Sequence, residues 1–220
     1  MNGVILCMYS GGLDSAGMLH LLLTSDEFKD FAIHVHHLHL VNPENRALVE
    51  QAATQNALEQ MRKSGYREFS YSESLHRYPA FNQQIVWDAD LCAFMAGNIC
   101  NATPDIRYVA LGRTKTDIEH AGHDFQGRMA RAQAIFRAVK SLNKNPSEYI
   151  FPVAQLTKRE VWEMLPPEVR AHTWSCRRPI YEGNRATACG QCISCLALGI
   201  APPPQKPGPA SQPESGTPKP

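Results

Sequence analysis

Two short segments of the sequence combine residue types and spacings that are suited to chemistry. The first follows the apolar run from Gly3 to Met8 and reads Ser10-Gly11-Gly12-Leu13-Asp14-Ser15. An apolar run of this kind indicates a buried strand, and the residues from Ser15 to Thr24 favour a helix. Two glycines and two hydroxyls therefore stand at a helix N-terminus, where unpaired N–H groups and the positive end of the helix dipole favour an anion.

This strand–turn–helix segment predicts a phosphate-binding loop, and all six of its residues are candidates to line it. Gly11 and Gly12 would let the backbone approach a phosphate, while Ser10 and Ser15 would donate hydrogen bonds to it. Asp14 would hold Mg²⁺ against the same phosphates. The alternative is a glycine-rich turn in which Asp14 only caps the helix. Neither G-x-x-x-x-G-K-[ST] nor G-x-G-x-x-G occurs, which excludes those two nucleotide-binding loops.

The second segment lies near the other end of the chain and contains four cysteines. Their spacing is C-x12-C-x2-C-x2-C, formed by Cys176, Cys189, Cys192 and Cys195. Four thiolates at this spacing suit one tetrahedral Zn²⁺ in a closed structural site. Disulfides and an iron–sulfur cluster are the alternatives, and zinc is the favoured interpretation. Because four ligands leave no open position on the ion, we assign this metal no catalytic role.

Composition and charge narrow the functional classes. The chain has 220 residues, 43% of them hydrophobic, and its sequence lacks an apolar run of the roughly 18 residues that suggest a membrane span. A formal net charge of +1 gives no electrostatic reason to expect nucleic acid or an anionic membrane as a partner. Seven cysteines without a recognisable export signal favour a reducing compartment, so we expect a cytoplasmic protein.

Strand and helix patterns alternate between the two segments. We expect further strands at 31–38, 67–71, 107–112 and 150–153, and further helices at 44–63, 85–101, 127–142 and 158–165. Repeated β–α units predict an α/β fold with a doubly wound parallel sheet, whose ligand site lies at the carboxyl ends of its strands. Arg113 and Lys115 follow one such end, which makes them candidates to neutralise phosphates or a carboxylate.

These patterns divide the chain into three regions. We expect a nucleotide-binding α/β domain at residues 1–170, a four-cysteine zinc module at 171–200 and a Pro-rich tail at 201–220. The tail has almost nothing to bury, so it is expected to be disordered. Four histidines mark the second predicted strand, and we interpret them as polar face residues and not as metal ligands: His34, His36, His37 and His39.

The first segment resembles the S-G-G-x-D-S loop of the PP-loop ATP pyrophosphatases. Those enzymes cleave ATP between the α and β phosphates and adenylate a substrate. Near the other end, the residues Thr173 to Cys176 and Cys189 to Cys195 read T-W-S-C and C-G-Q-C-I-S-C. The two motifs together resemble the paired signature of the 7-cyano-7-deazaguanine (preQ0) synthases, and Leu156 to Glu160 is similar to that family's approach to its zinc site.

The resemblance implies an adenine-nucleotide alpha-hydrolase-like fold and ATP-dependent ligase activity in queuosine biosynthesis. Such an enzyme uses ATP and Mg²⁺ to adenylate 7-carboxy-7-deazaguanine, lets ammonia displace AMP to give the amide, then activates and dehydrates the amide to the nitrile. Our catalytic candidates are Asp14, Ser15, Arg113, Lys115 and Asp117, the last as a base-pocket or metal-shell residue. The resemblance implies the small-molecule acid and an amine as partners. A homodimer is compatible with this interpretation.

The middle of the chain departs from the family pattern. Where the synthases carry a stretch resembling D-x-S-G-Y-P-D-C-R, this chain has residues 113–128, of which Asp117 and, loosely, Gly122, Asp124 and Arg128 can be aligned. A P-G-R-N-like entry to the helix at 85–101 is also missing, and 79–82 is the nearest approach to it. Both regions should shape the acceptor pocket.

This departure keeps alternative functions open. The enzyme could stop at the amide, or it could transfer the adenylated acid to another amine, such as one on a protein. A further class comprises tRNA-modifying PP-loop enzymes and catalytically silent binding proteins with the same fold. The near-neutral charge argues against the tRNA version, and the intact first segment argues against a silent protein.

Overall fold

The computed structural model describes residues 2–77, 87–120, 124–140 and 146–202. Its main sheet has five parallel strands in the order β3-β2-β1-β4-β5. These strands are β1 (Val4–Tyr9), β2 (Ala32–Val41), β3 (Ser70–Arg77), β4 (Ile106–Leu111) and β5 (Glu148–Ile150). The predicted α/β class with a doubly wound parallel sheet is therefore confirmed.

Helices cover both faces of this sheet. The described helices are α1 (Leu13–Thr24), α2 (Ala47–Lys63), α3 (Asp88–Ala102), α4 (Lys115–His120), α5 (Asp124–Lys140), α6 (Lys158–Met164), α7 (Pro167–Arg170) and α8 (Ile193–Ala197). Helices α1, α2, α6 and α7 share one buried apolar cluster with β1 and β2, while α3 and α5 share a second cluster with β1 and β4. Both faces of β1 are thus buried, which explains its continuous apolar sequence.

The strand order places the ligand crevice beside β1. From β1 the chain winds outward through β2 to β3, then crosses to the other side of β1 to form β4 and β5. Such a reversal separates the loops at the carboxyl ends of the two neighbouring strands and leaves a crevice between them. By this rule the ligand crevice is expected beside the loop after β1, at residues 10–12, and the loop after β4, at residues 112–114.

The third strand lies later in the chain than the sequence predicted. The expectation was 67–71, whereas β3 spans Ser70–Arg77. Two of its half-buried residues, Ser72 and Ser74, bond the histidines of β2. The Ser72 hydroxyl lies 2.7 Å from His34 Nε2 and 2.8 Å from His36 Nδ1. The sequence of β3 therefore lacks the alternation of apolar and polar residues by which a strand is recognised, because polar side chains pair with those of β2. The prediction that the histidines of β2 are polar face residues is wrong for three of them, because β2 is an inner strand and His36, His37 and His39 are buried.

Other element boundaries shift by smaller amounts. The fifth strand ends at Ile150, and the segment from Phe151 turns back, although Val153 is fully buried there as a core residue. Helix α2 begins at Ala47 and not at Glu44, and it ends before Gly65, whose φ of +77° is the left-handed conformation typical of a helix end. Helix α4 and helix α7 were not predicted.

The C-terminal region forms a small hairpin and a short helix around the cysteines. The hairpin consists of β6 (Ile180–Glu182) and β7 (Arg185–Thr187), and α8 follows it. Residues 203–220, which include most of the predicted tail, lie outside the described residues, as do 79–82. Within the described part of the chain, no helix has the length and apolar character needed to cross a membrane.

Candidate functional site

The loop after β1 is closed by its own hydroxyls. The Ser15 hydroxyl donates to the Gly12 carbonyl at 2.9 Å and lies 3.2 Å from the Ser10 hydroxyl, which in turn accepts from the Gly12 N–H at 3.4 Å. Gly12 is the N-cap of α1, so Asp14 lies in the first helical turn. The alternative in which Asp14 caps the helix is therefore wrong.

Gly11 is required by packing against α2. Its φ of +77° favours glycine, and a Cβ at this position would lie 2.7 Å from the Thr54 hydroxyl and 2.8 Å from the Glu50 carbonyl. The crowding therefore comes from protein backbone, and not only from the space that a phosphate would occupy. At Gly12 a Cβ would lie 3.3 Å from the Trp174 carbonyl, so the C-terminal region also borders the loop.

The end of β4 packs directly on the same loop. A Cβ at Gly112 would lie 2.7 Å from the Ser15 nitrogen and 2.8 Å from the Asp14 carbonyl. Only a glycine lets the two loops that border the crevice approach each other this closely. The spacing of the candidate site thus depends on residue 112 as much as on the loop itself.

Gly112→Ala should lower the free energy of unfolding by about 1–3 kcal/mol, the usual cost of inserting a methyl group into tightly packed surroundings. The start of α1 must also move, so we expect weaker nucleotide binding. Urea denaturation and calorimetric titration with ATP and Mg²⁺ measure the two effects. The control is Gly127→Ala on the exposed side of α5, where alanine should be neutral or stabilising. An equal loss in both variants would contradict the packing argument.

A lysine from a distant part of the chain lies on the carboxylate of this loop. The Lys158 ammonium contacts Asp14 Oδ2 and lies 2.9 Å from Asp117 Oδ1. The second oxygen of Asp117 accepts from the backbone N–H and the hydroxyl of Thr114, at 3.1 and 2.8 Å. Lys158 begins α6, which Thr157 and Glu160 cap reciprocally. One cation therefore joins the first turns of α1 and α4, the helices that follow β1 and β4.

Burial and charge set the proton affinities of this triad. Burial raises the pKa of Asp14 to about 6 even though the Lys158 charge opposes the rise. For Asp117, burial is outweighed by Lys158 and by the hydrogen bonds from Thr114, so the pKa of Asp117 lies below its usual value. For Lys158, the two carboxylates outweigh burial and raise the pKa of the ammonium, which stays charged.

The triad retains one unused ligand atom. Asp14 Oδ1 is buried and has no hydrogen-bond partner among the described residues. A buried carboxylate oxygen without a donor is costly, and a hard cation such as Mg²⁺ would satisfy it. The residues present therefore fit the predicted Mg²⁺, with Asp14 as its ligand and Asp117 next to it.

Of the two other predicted cations, only Arg113 is directed into the protein here. Burial lowers the pKa of Arg113, and the charge of Asp117 opposes that effect, so these two groups lie near each other. The Lys115 side chain is 53% exposed and lies 3.8 Å from Glu119 on α4. Its backbone N–H donates to the Leu156 carbonyl at 2.8 Å. Lys158, which the sequence analysis did not select, therefore lies beside the predicted phosphate loop, while the ammonium of Lys115 lies next to Glu119.

The sequence contained a weak sign of this role for Lys158. A lysine in the first turn of a helix opposes the helix dipole, which favours acidic residues at that end. The Thr157-x-x-Glu160 pattern fixes the helix start, so the unfavourable position of Lys158 could have been recognised. Its partners could not, because Asp14 lies 144 residues away in the sequence.

The four cysteines come together as predicted. Their Sγ atoms lie within 4.8 Å of one another, and within the described residues they are the only cluster of potential metal ligands. The Cys176–Cys189 and Cys192–Cys195 sulfur distances are both 3.5 Å, and the Cys189–Cys195 distance is 4.0 Å. One tetrahedral Zn²⁺ with Zn–S bonds of about 2.3 Å separates its sulfurs by about 3.8 Å, so the cluster fits a single ion. These distances are too long for disulfides.

Backbone N–H groups point at the sulfurs. Cys176 Sγ accepts from Arg178 at 3.4 Å and from Cys189 at 3.2 Å, and Cys192 Sγ accepts from Arg177 at 3.4 Å. Such donors stabilise thiolate charge and orient the ligands, as in other structural metal sites. The arrangement therefore suits four deprotonated ligands around one divalent cation.

Cys192→Ser should reduce bound zinc from about one ion per chain to well below that, because a hydroxyl is a poor substitute for a thiolate ligand. Elemental analysis of purified protein measures the change. Cys92→Ala, which removes a cysteine of α3 outside the cluster, should keep the full zinc content. Full zinc retention by Cys192→Ser would show that the ion, if bound, does not use this cluster.

An ionic network that the sequence analysis missed attaches the cysteine region to the starts of α2 and α3. The buried Arg46 donates to Glu44 at 2.6 Å, to Asp88 at 2.5 Å and to Glu50. Arg177, next to a cysteine ligand, donates to both oxygens of Glu44 at 3.0 Å. Burial raises the pKa of Glu50 to about 7 although Arg46 opposes it. These charges converge from three separate segments, at residues 44–50, Asp88 and Arg177, so no local spacing reveals them.

Comparison with known proteins gives distant structural likenesses only. No family model matches the chain, and no curated protein sequence matches it. The solved U34-tRNA thiolase NcsA from Methanococcus maripaludis, with its [4Fe-4S] cluster, shares 15% identity and a TM-score of 0.47. A glutamine-dependent NAD+ synthetase from Acinetobacter baumannii, in complex with ADP, shares 18% identity and a TM-score of 0.38.

The matches are partial on both sides. They cover 73% of this chain for the thiolase and 76% for the synthetase. The chain spans 55% of the thiolase and 33% of the synthetase. At this distance the comparisons do not assign an activity, so functional inference depends on the residues of the site itself.

Proposed function

We propose that this chain cleaves ATP between its α and β phosphates and uses the AMP group to activate a carboxylate. The observation that carries the proposal is the Lys158 ammonium held between Asp14 of the predicted phosphate loop and Asp117 of α4. It places a buried cation beside the predicted phosphate site, in the crevice where doubly wound sheets bind ligands.

The proposed chemistry needs positive charge at this position. A carboxylate that attacks the α-phosphate brings two anions together, and charge builds up on the phosphoryl oxygens. A preorganised cation stabilises that state more than it stabilises the separate reactants. Lys158 supplies such a cation, Arg113 is a second candidate, and the start of α1 adds backbone N–H groups. Mg²⁺, when bound with ATP, would further neutralise phosphate charge next to Asp14.

For the substrate we propose 7-carboxy-7-deazaguanine, with ammonia as the amine and the nitrile as the product. Support comes from the sequence resemblance at both ends of the chain, and the cysteine cluster fits the zinc module that this resemblance implies. The ion would act as a structural zinc, since four protein ligands leave no position for a substrate. We also propose the division into a nucleotide-binding domain at 1–170 and a zinc module at 171–200.

A second outcome of the same adenylation is favoured by one observation. Helix α4 and its flanking residues occupy the stretch where the sequence departs from the synthase pattern. An altered acceptor side would be consistent with an enzyme that stops at the amide, or that transfers the activated acid to a different amine. Both outcomes retain the ATP chemistry and differ only in the second substrate.

Product analysis separates these functions. The full chain is incubated with ATP, Mg²⁺, ammonia and 7-carboxy-7-deazaguanine, and mass spectrometry identifies the products. We expect AMP and pyrophosphate together with the nitrile. Amide without nitrile would favour the second outcome. Absence of AMP with this acid and with every amine tested would reject the substrate, and AMP formed only with tRNA would favour a tRNA-modifying enzyme.

A further inference from the structure

The segment just before the first cysteine ligand binds the phosphate loop directly. The backbone N–H of Trp174 donates to the Gly11 carbonyl at 2.8 Å. The Leu13 N–H, at the first position of α1, donates to the Ser175 hydroxyl at 3.2 Å. Two consecutive residues of the cysteine region are thus bonded to two residues of the loop, across 162 positions of sequence in the case of Ser175.

The Ser175 hydroxyl lies at the entrance to the anion site. Leu13 N–H is one of the unpaired donors at a helix N-terminus, and the side chain of Ser175 accepts it in place of a phosphate oxygen. A hydroxyl that accepts one hydrogen bond keeps its own proton for another acceptor. Since Ser175 Oγ lies 3.7 Å from the position of a Cβ at Gly12, it borders the same space as the glycines of the loop.

The same segment is fixed by the cysteine cluster. Cys176 follows Ser175 directly, and the Trp174 indole N–H donates to the Cys176 carbonyl at 2.9 Å. The position of Ser175 therefore depends on how firmly Cys176 is held. Arg177 and Tyr181 attach the region to the sheet by separate bonds, to Glu44 and to the Asn45 carbonyl, so loss of a metal would loosen this segment without detaching the region.

We propose that metal bound to the four cysteines sets the affinity of the phosphate loop for ATP, and that Ser175 is the positioning residue through which it acts. This inference rests on the proposed ATP-binding function. With metal bound, Cys176 is fixed and Ser175 orders the start of α1 and presents one more hydroxyl donor. Without metal, Cys176 is no longer fixed. The start of α1 is then less ordered, and the hydroxyl of Ser175 is no longer held at the phosphate loop. The ion then has a functional consequence without touching the substrate.

The test compares ATP binding in four proteins: wild type and Ser175→Ala, each loaded with zinc and stripped by a chelator. We expect stripping to weaken ATP·Mg²⁺ binding to the wild type by about five- to tenfold, which corresponds to one or two hydrogen bonds. Loaded Ser175→Ala should show a similar loss with its zinc content intact. Stripping that variant should change its affinity by less than about twofold, because the link is already broken.

Two further variants control for general damage. Ser194→Ala removes a serine hydroxyl between two cysteine ligands and should bind ATP like the wild type. Ser175→Thr keeps the hydroxyl and should restore most of the affinity. Normal binding by loaded Ser175→Ala would overturn the proposal, and so would equal effects of stripping on wild type and Ser175→Ala. If stripping unfolds the chain, the role of Ser175 is tested by comparing ATP binding of the zinc-loaded Ser175→Ala and Ser194→Ala proteins.

Hydrogen exchange separates this inference from the proposed function. The exchange rate of the Leu13 amide is measured without nucleotide, in loaded and stripped wild type. Faster exchange after stripping supports the link even if no form of the chain binds ATP, in which case only the proposed function fails. Unchanged exchange at Leu13 in a folded, stripped protein would overturn the link whatever the chain binds.

Discussion

Lys158→Met should lower the rate of AMP formation by about 10²–10³-fold, the usual effect of removing one charge-stabilising group from an active site. The ammonium is the described cation that contacts both Asp14 and Asp117, and it enters the crevice from a helix that is fixed by its own capping box. Methionine keeps an unbranched side chain that is one atom shorter, and removes the charge. Because the charge acts on the transition state, ATP binding should fall less than the rate.

The matched control is Lys115→Met. Lys115 also lies next to the crevice in sequence, but its ammonium is exposed and lies 3.8 Å from Glu119. An exposed pair of this kind contributes little, so the variant should keep AMP formation within about threefold. Pyrophosphate release measures the rates, and circular dichroism confirms that both variants are folded. Loss in Lys115→Met with normal rates in Lys158→Met would reverse our assignment of the two cations.

Lys158→Met has a second expected consequence. Without the ammonium, Asp14 and Asp117 face each other without a shared cation, so the pKa of each carboxyl should rise. Lys158→Arg retains a positive charge and should recover part of the activity, limited by the larger guanidinium. Recovery would separate the effect of charge from that of packing.

The parts of the site that the sequence predicted are those encoded within a few residues. The loop from Ser10 to Ser15 lies between a strand and a helix that can both be recognised from the sequence. The spacing of the four cysteines likewise predicts that they bind one metal together. The carboxyl end of β4 was also located correctly, since Gly112 follows an apolar strand. In each case the residues that form the feature are close together in the sequence, so a local pattern is enough to predict it.

The parts that were missed depend on contacts between distant segments. Asp14 meets Lys158 because α6 packs against α1, where a Cβ at Gly17 would clash with the Val161 side chain, and no spacing in the sequence predicts that contact. The Arg46 network likewise gathers residues of α2, α3 and the cysteine region. Strand β3 was misplaced because Ser72 and Ser74 bond histidines of β2, and these serines read as a solvated segment when the sequence of one strand is taken alone.

Asp14→Asn should abolish the Mg²⁺ dependence of ATP binding and at the same time stabilise the chain. The pKa of Asp14 is raised to about 6, so the carboxyl is largely neutral below that pH and charged above it. A cation ligand must be deprotonated. For the wild type we therefore expect ATP·Mg²⁺ affinity to rise with pH through about 6 and to level off above it, whereas the variant should be weak and independent of pH over the same range.

The stability effect has the opposite sign. The folded pKa lies above the value of 3.8 expected for an unfolded chain, so the folded state binds more protons and loses stability as the pH rises from about 4 to 6. At neutral pH the wild type holds a charged, partly buried carboxylate whose buried Oδ1 has no hydrogen-bond partner among the described residues, a cost that asparagine reduces. Removing a strained functional group commonly gains stability at the expense of activity.

Calorimetric titration between pH 5 and 8, with and without Mg²⁺, tests the binding, and thermal unfolding over the same range tests the stability. The control is Asp26→Asn, which removes an equal charge from a side chain that is 98% exposed. It should leave both measurements unchanged. Two results together would contradict the role of Asp14: an Asp14→Asn variant that is less stable than the wild type at pH 7, and one that binds ATP·Mg²⁺ with the wild-type pH profile. The first would show that the buried charge carries no cost, and the second that Asp14 is not a Mg²⁺ ligand.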